Sequence, residues 1–174
     1  MKPHLVFINA AMICTVLTTG FYDIKFESLD GVLIKTSSYQ GKKCVIAVVS
    51  ANTASVNLVR YLDSIQKTNT NVQVIAIPTN EFDGSVSVQE LKNLKKNLSI
   101  VVSKPLKVRK ANNILQHPLF AWLTQATENK HFDIDVEGEG QVFIVSAMGT
   151  LYSVIPKGAP REIIAKAINQ PFTE

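Results

Sequence analysis

Residues 44–66 read CVIAVVSANTASVNLVRYLDSIQ, and the fold turns on how this stretch is read. Cys44 to Val49 is an unbroken apolar run rich in valine and isoleucine, as a strand buried on both faces requires. From Val56 the period changes. Val56, Val59, Leu62 and Ile65 recur at three-residue steps with Leu58 beside them, which predicts an amphipathic helix over 56–66. Ser55 is the expected cap, because a serine hydroxyl at a helix start accepts from a free backbone N–H. A buried strand running straight into a helix is the repeating unit of an α/β layer protein.

The flanking sequence continues the alternation. Upstream, Ile24–Leu29 and Val32–Thr36 surround Asp30-Gly31, a pair that takes the positive φ of a tight hairpin turn. Downstream, Val72–Ile77 is a second buried strand, Pro78–Gly84 a loop, and Val88–Leu98 a lysine-rich helix. Ser99–Ser103 reads as a short strand. Proline at the first turn predicts a helix over 118–127, entered through His117-Pro118. Gln141–Ser146 and Thr150–Ile155 form a hairpin around Ala147-Met148-Gly149, and a last helix over 160–169 ends before Pro171. There is no internal repeat and no low-complexity linker. With 174 residues, 46% of them hydrophobic and 18% charged, the chain is expected to form one globular domain over 21–174.

The first twenty residues differ. Lys2, an apolar run from Leu5 to Leu17 and the small residues Thr18-Thr19-Gly20 have the layout of a secretory signal over 1–20, cut near Gly20. The run falls short of the roughly 20 residues that span a bilayer, so no transmembrane helix is expected in the mature chain. A buried strand or a short uncleaved anchor is the alternative. Cys14 does not suit lipidation, because Ile13 stands where a small residue should precede it. Cleavage removes one lysine and no acid, leaving seventeen basic against fourteen acidic residues, or +3. Cys44 then stands alone, which excludes an internal disulfide and a thiolate metal cluster.

Five segments in order resemble the glutathione peroxidase family. FYDIKFESLDG (21–31) is similar to its opening "FYDF" and turn, and Tyr39-Gln40-Gly41-Lys42 to the "YKGK" before its first central strand. IPTNEFDG (77–84) resembles its "FPCNQFGG" loop. Gln116-His117-Pro118-Leu119-Phe120, followed by Trp122-Leu123, resembles "AHPLYKFL", and QVFIVSAMG (141–149) resembles "KFLVDRNG". The resemblance covers about 21–170. It implies an α/β, thioredoxin-like fold of the glutathione peroxidase type: a central mixed sheet flanked by helices, with an N-terminal β-hairpin.

The resemblance also implies what has been lost. These enzymes reduce peroxides with a cysteine or selenocysteine where the first central strand meets a helix, whose N-terminus stabilises the thiolate. Here that position falls on Thr53, whose hydroxyl has no accessible anion near neutral pH and no sulfenic state. The family's glutamine corresponds to Glu81, which accepts hydrogen bonds but cannot donate when ionised. Its loop cysteine corresponds to Thr79, and its Trp-Asn pair to Gly138-Glu139. Cys44 lies upstream at the start of the strand, where an apolar setting raises a thiol pKa and makes it inert.

Other clusters have plainer readings. Lys104, Lys107, Arg109 and Lys110 form a basic loop at the rim of the implied site, a candidate surface for an acidic protein, anionic headgroups or a glutathione-like anion. Lys92, Lys95 and Lys96 are expected to extend its field. No aromatic residue interleaves with that loop, so nucleic acid is not an expected partner. Asp133 to Glu139 faintly resembles a calcium loop, but Ile144 stands where its bidentate carboxylate belongs. His117 reads as a helix-entry residue. The expectation is therefore a non-enzymatic, exported protein, periplasmic or secreted, with no cofactor. It would be a structural or protein-binding part of an envelope assembly. The alternatives are a small-ligand or anion binder using the former pocket, and an enzyme of other chemistry, with Glu81 as acid or base.

Overall fold

The computed structural model describes residues 20–50, 52–82, 87–110 and 115–171. The leader expected over 1–20, with Cys14, lies outside the described residues except for Gly20. Strands β1 (Lys25–Glu27) and β2 (Leu33–Lys35) form the antiparallel N-terminal hairpin. Gly31 takes φ +81° in its turn, as Asp-Gly predicted. Five further strands make one mixed sheet: β3 (Lys43–Val49), β4 (Val72–Pro78), β5 (Val101–Val102), β6 (Val142–Val145) and β7 (Leu151–Ile155). Their order across the sheet is β5-β4-β3-β6-β7. β3, β4 and β5 run parallel; β6 is antiparallel to β3, and β7 is antiparallel to β6.

β3 is central, so both its faces are covered, and its side chains alternate between two cores. Val45, Ala47 and Val49 pack with Val59 and Leu62 of α1 (Thr53–Thr68) and Ile164 of α5 (Arg161–Asn169). Ile46 and Val48 face the other way, onto Phe143 of β6 and Leu119, Phe120 and Leu123 of α3 (Pro118–Thr124). Each of these buried side chains larger than Ala47 contributes about 1.5–3 kcal/mol. Trp122 closes this second core against Phe21, with ring centroids 5.2 Å apart. Phe26 of the hairpin is buried in the same layer.

The structure corrects several local expectations. α1 begins at Thr53, and its cap is Asn52, not Ser55: Asn52 Oδ1 accepts from Ser55 N at 2.8 Å. The lysine-rich helix α2 (Val88–Lys95) stops short of Leu98. The helix expected over 118–127 is two. Gln125 is extended (φ −116°, ψ 119°), and α4 (Ala126–Asn129) starts after it. At the break the Thr124 hydroxyl donates back to Phe120 O at 2.7 Å, a contact that bends helices. His117 caps α3 through Nδ1, which accepts from Leu119 N at 3.2 Å. Burial lowers its pKa, keeping the ring in the neutral form this bond needs. Among the described residues no helix is long and apolar enough to cross a membrane.

Candidate functional site

The end of β3 and the start of α1 are tied together by short polar side chains. Ser50 N donates to Ser55 Oγ at 3.1 Å, and Asn52 N to Ser50 Oγ at 3.3 Å. A third strand of chain reaches the same point. Val48 N donates to Gln141 O at 3.0 Å and Gly140 N to Val48 O at 2.8 Å, which pins the turn 138–141 beside β3. Gly140 has φ +90°, a conformation open to glycine without strain, and it carries Glu139 to the helix mouth. There Glu139 Oε2 accepts from Ser50 Oγ at 2.7 Å and from Asn52 Nδ2 at 2.6 Å. Its Oε1 is shielded from solvent and has no hydrogen-bond partner among the described residues.

A carboxylate thus stands at the N-terminus of a sixteen-residue helix, the place where a thiolate would be stabilised. Thr53, first residue of α1, is exposed beside it. Thr79 is fully buried below; its N donates to Val49 O at 3.3 Å and its Oγ1 accepts from Glu81 N at 3.3 Å.

Glu81 faces a loop. Its Oε2 accepts from the backbone N–H of Val108 and, at 3.0 Å, of Arg109, and its side chain is only 10% exposed. This carboxylate is a clasp for 107–109. The basic residues of that loop go to separate partners. Lys104 pairs with Glu27, Lys110 with Asp133 at 2.6 Å, and Lys107 lies 4.0 Å from Glu81 Oε1. The Arg109 guanidinium sits over the Phe82 ring, 5.5 Å from its centroid. The four cations expected to act together are therefore largely neutralised or turned apart. Asp133 and Asp135 are likewise spent on Lys110, by the ion pair and by a bond from Lys110 N at 3.0 Å.

An open cleft of about 510 Å³ lies between Glu81, Phe82 and Arg109 on one side and Asn52, Glu139 and Lys157 on the other. Gly138 forms part of its wall, where a Cβ would stand 2.8 Å from the Lys157 side chain. Three carboxylates, Glu81, Glu137 and Glu139, face two cations, Arg109 and Lys157, so the cleft has no positive field for an anion. Sequence reasoning named Glu81, Gly138 and Glu139, which the fold brings to this cleft. It missed Asn52, Ser50 and Lys157. Asn52 carried a readable signal, since asparagine is among the strongest helix caps.

Cys44, the free cysteine among the described residues, is fully buried at the opposite end of β3. Ser50 lies six residue steps along the chain from it, or about 20 Å at the rise of a β-strand. Burial pushes its thiol up to about 12. We expect Ellman's reagent to leave native Cys44 unmodified at pH 8 for hours and to react with it within minutes after denaturation. A fast native reaction would contradict its burial. A thiol whose folded pKa is raised also withdraws stability as pH climbs from about 9 toward about 12, so alkaline unfolding is expected there.

No family model and no curated protein matches the chain. Solved structures do. It is similar to Trgpx in its apo form, with a TM-score of 0.66 at 19% identity over 86% of this chain and 93% of that one. T. cruzi GPX1 also gives 0.66, at 16% identity over 86% and 94%. A secreted disulfide oxidoreductase of Mycobacterium tuberculosis gives 0.56, at 14% identity over 85% and 96%. The chain has a thioredoxin-like α/β fold of the glutathione peroxidase type, with its mixed five-stranded sheet and N-terminal hairpin.

Proposed function

We propose that this protein is a non-catalytic relative of the glutathione peroxidases, acting as a structural or protein-binding component of an exported or cell-envelope assembly. One observation carries the reading: the helix mouth holds the Thr53 hydroxyl and the Glu139 carboxylate, with sulfur about 20 Å away in the core. Neither oxygen group runs a thiolate cycle, because an alcohol near neutral pH is neither an anion nor able to form a sulfenic acid. A fold carries functions unrelated to its usual reaction, so a kept framework without its nucleophile serves as a rigid surface. Export rests on the leader-like layout of 1–20 and agrees with the secreted neighbour from Mycobacterium tuberculosis. Three carboxylates in the cleft weigh against the anion-binding alternative.

The test is capture from a native envelope extract followed by size-exclusion chromatography. The reading expects the chain to elute with a stoichiometric protein partner. Elution alone, from every extract in which the chain is abundant, would overturn it.

A further inference from the structure

The hairpin is fastened to the main sheet through β1. Ser28 makes an antiparallel bridge with Ser103, beside which Leu29 N donates to Val102 O at 2.8 Å and Lys104 N to Glu27 O at 3.0 Å. β1 therefore lies against the end of β5, and β2, whose strand neighbour is β1, is left outermost. Residues of an antiparallel ladder turn their N–H and C=O groups alternately toward the partner strand and away from it. Ser28 N donates to Val32 O at 2.8 Å and Thr36 N to Ile24 O at 3.0 Å, so Val32, Ile34 and Thr36 face β1. Leu33 and Lys35 then point their N–H and C=O groups outward. Both residues are exposed, and these four backbone groups have no hydrogen-bond partner among the described residues.

The far edge of the sheet is different. The β6–β7 ladder shifts register between Ile144 and Val145, and β7 runs into Pro156, which has no N–H to offer. Both features blunt an edge against further pairing, and β2 has neither.

The side chains of β2 specify what pairs with it. Lys25, Glu27, Leu33 and Lys35 share one face of the hairpin. Lys25 stands opposite Lys35, a like-charged pair that repels, while Glu27 is held by Lys104. A carboxylate on a strand added beside Lys35 relieves that repulsion. Ile34 lies on the other face with buried Phe26 and packs at the margin of the second core, so an apolar side chain added beside it extends that core. The matching strand alternates acidic on one face with apolar on the other. Lysine at an edge deters unselective pairing, and here it also selects by charge. A second copy fits less well, because antiparallel pairing of two β2 edges gathers the Lys25–Lys35 pairs of both chains on one face.

We propose that β2 receives an extended segment of a partner protein, alternating acidic and apolar residues, which adds a strand to the hairpin through the backbone of Leu33 and Lys35. This gives the protein-binding reading a place and a partner chemistry. Its test uses a synthetic strand, so it and the capture from an extract fail separately.

The probe is a fluorescein-labelled peptide of alternating glutamate and valine, titrated with the full chain at low salt and followed by anisotropy. Saturable binding is expected, with the Leu33 and Lys35 amides gaining about tenfold protection from hydrogen exchange and the Ile34 amide, which faces β1, gaining less. Methylating the peptide's backbone nitrogens at every second residue blocks one of its edges. Of the two peptides made this way, one should bind like the parent and the other should lose binding, with the protein unchanged. Lys35→Glu is expected to weaken binding roughly fivefold to tenfold. Lys166→Glu, the same charge change on α5, should alter it less than about twofold. Circular dichroism checks that both variants are folded. No saturable binding up to about 1 mM, equal binding of the two methylated peptides, or equal effects of the two substitutions would overturn the proposal. So would a chain that sediments as a dimer with the Leu33 and Lys35 amides already protected, which would assign the edge to a second copy.

Discussion

Glu81→Ala is expected to cost about 2–3 kcal/mol of folding stability and to loosen the chain around Lys107–Lys110, with Glu81→Gln losing about half as much. Glu81 Oε2 receives the N–H groups of Val108 and Arg109, and Val108 is fully buried. Removing the carboxylate leaves a buried donor without an acceptor, the costly direction in which to break a hydrogen bond. Glutamine restores an oxygen but not its charge. Urea unfolding gives the stability, and hydrogen exchange at the Val108 amide gives the local effect. Unchanged protection of that amide, with a loss under about 0.5 kcal/mol, would show that Glu81 is not the clasp.

Phe143→Ala is expected to cost more, about 3–5 kcal/mol, because it deletes a large buried ring from the middle of the sheet. Phe143 lies on β6, paired to β3 through Ile46 and to β7 through Val154, and is fully buried. Its ring meets Phe120 edge-on, with centroids 6.1 Å apart at 83°. Both the transfer energy and the cavity left between sheet and α3 enter the cost. Against a total of about 5–15 kcal/mol for a domain, this takes a large share of the stability. The urea midpoint should fall steeply, and Phe143→Leu should recover most of the loss. A Phe143→Ala midpoint close to that of the native chain would mean that the second core is packed differently.

The strands were readable because burial on both faces excludes polar residues, which made β3 and β4 stand out as runs rather than alternations. The N-terminal turn was readable for a similar local reason, since Asp30-Gly31 states its own backbone geometry. What failed was decided by partners distant in sequence. Nothing near Thr124 announces that the helix ends there. Lys104 through Lys110 looked like one patch until the fold supplied Glu27 and Asp133 to separate it. The arrival of Glu139 at the helix mouth depends on the turn at Gly140 and on pairing with β3, and no spacing rule contains that.

The account stands or falls on the absence of sulfur from the mouth of α1. Its most direct test is consumption of hydrogen peroxide by the purified chain, with thioredoxin or glutathione supplied in excess as reductant. The account predicts a rate equal to that of the buffer and reductant alone. Turnover that rises in proportion to the protein, and disappears in Thr53→Val or Glu81→Gln, would contradict it.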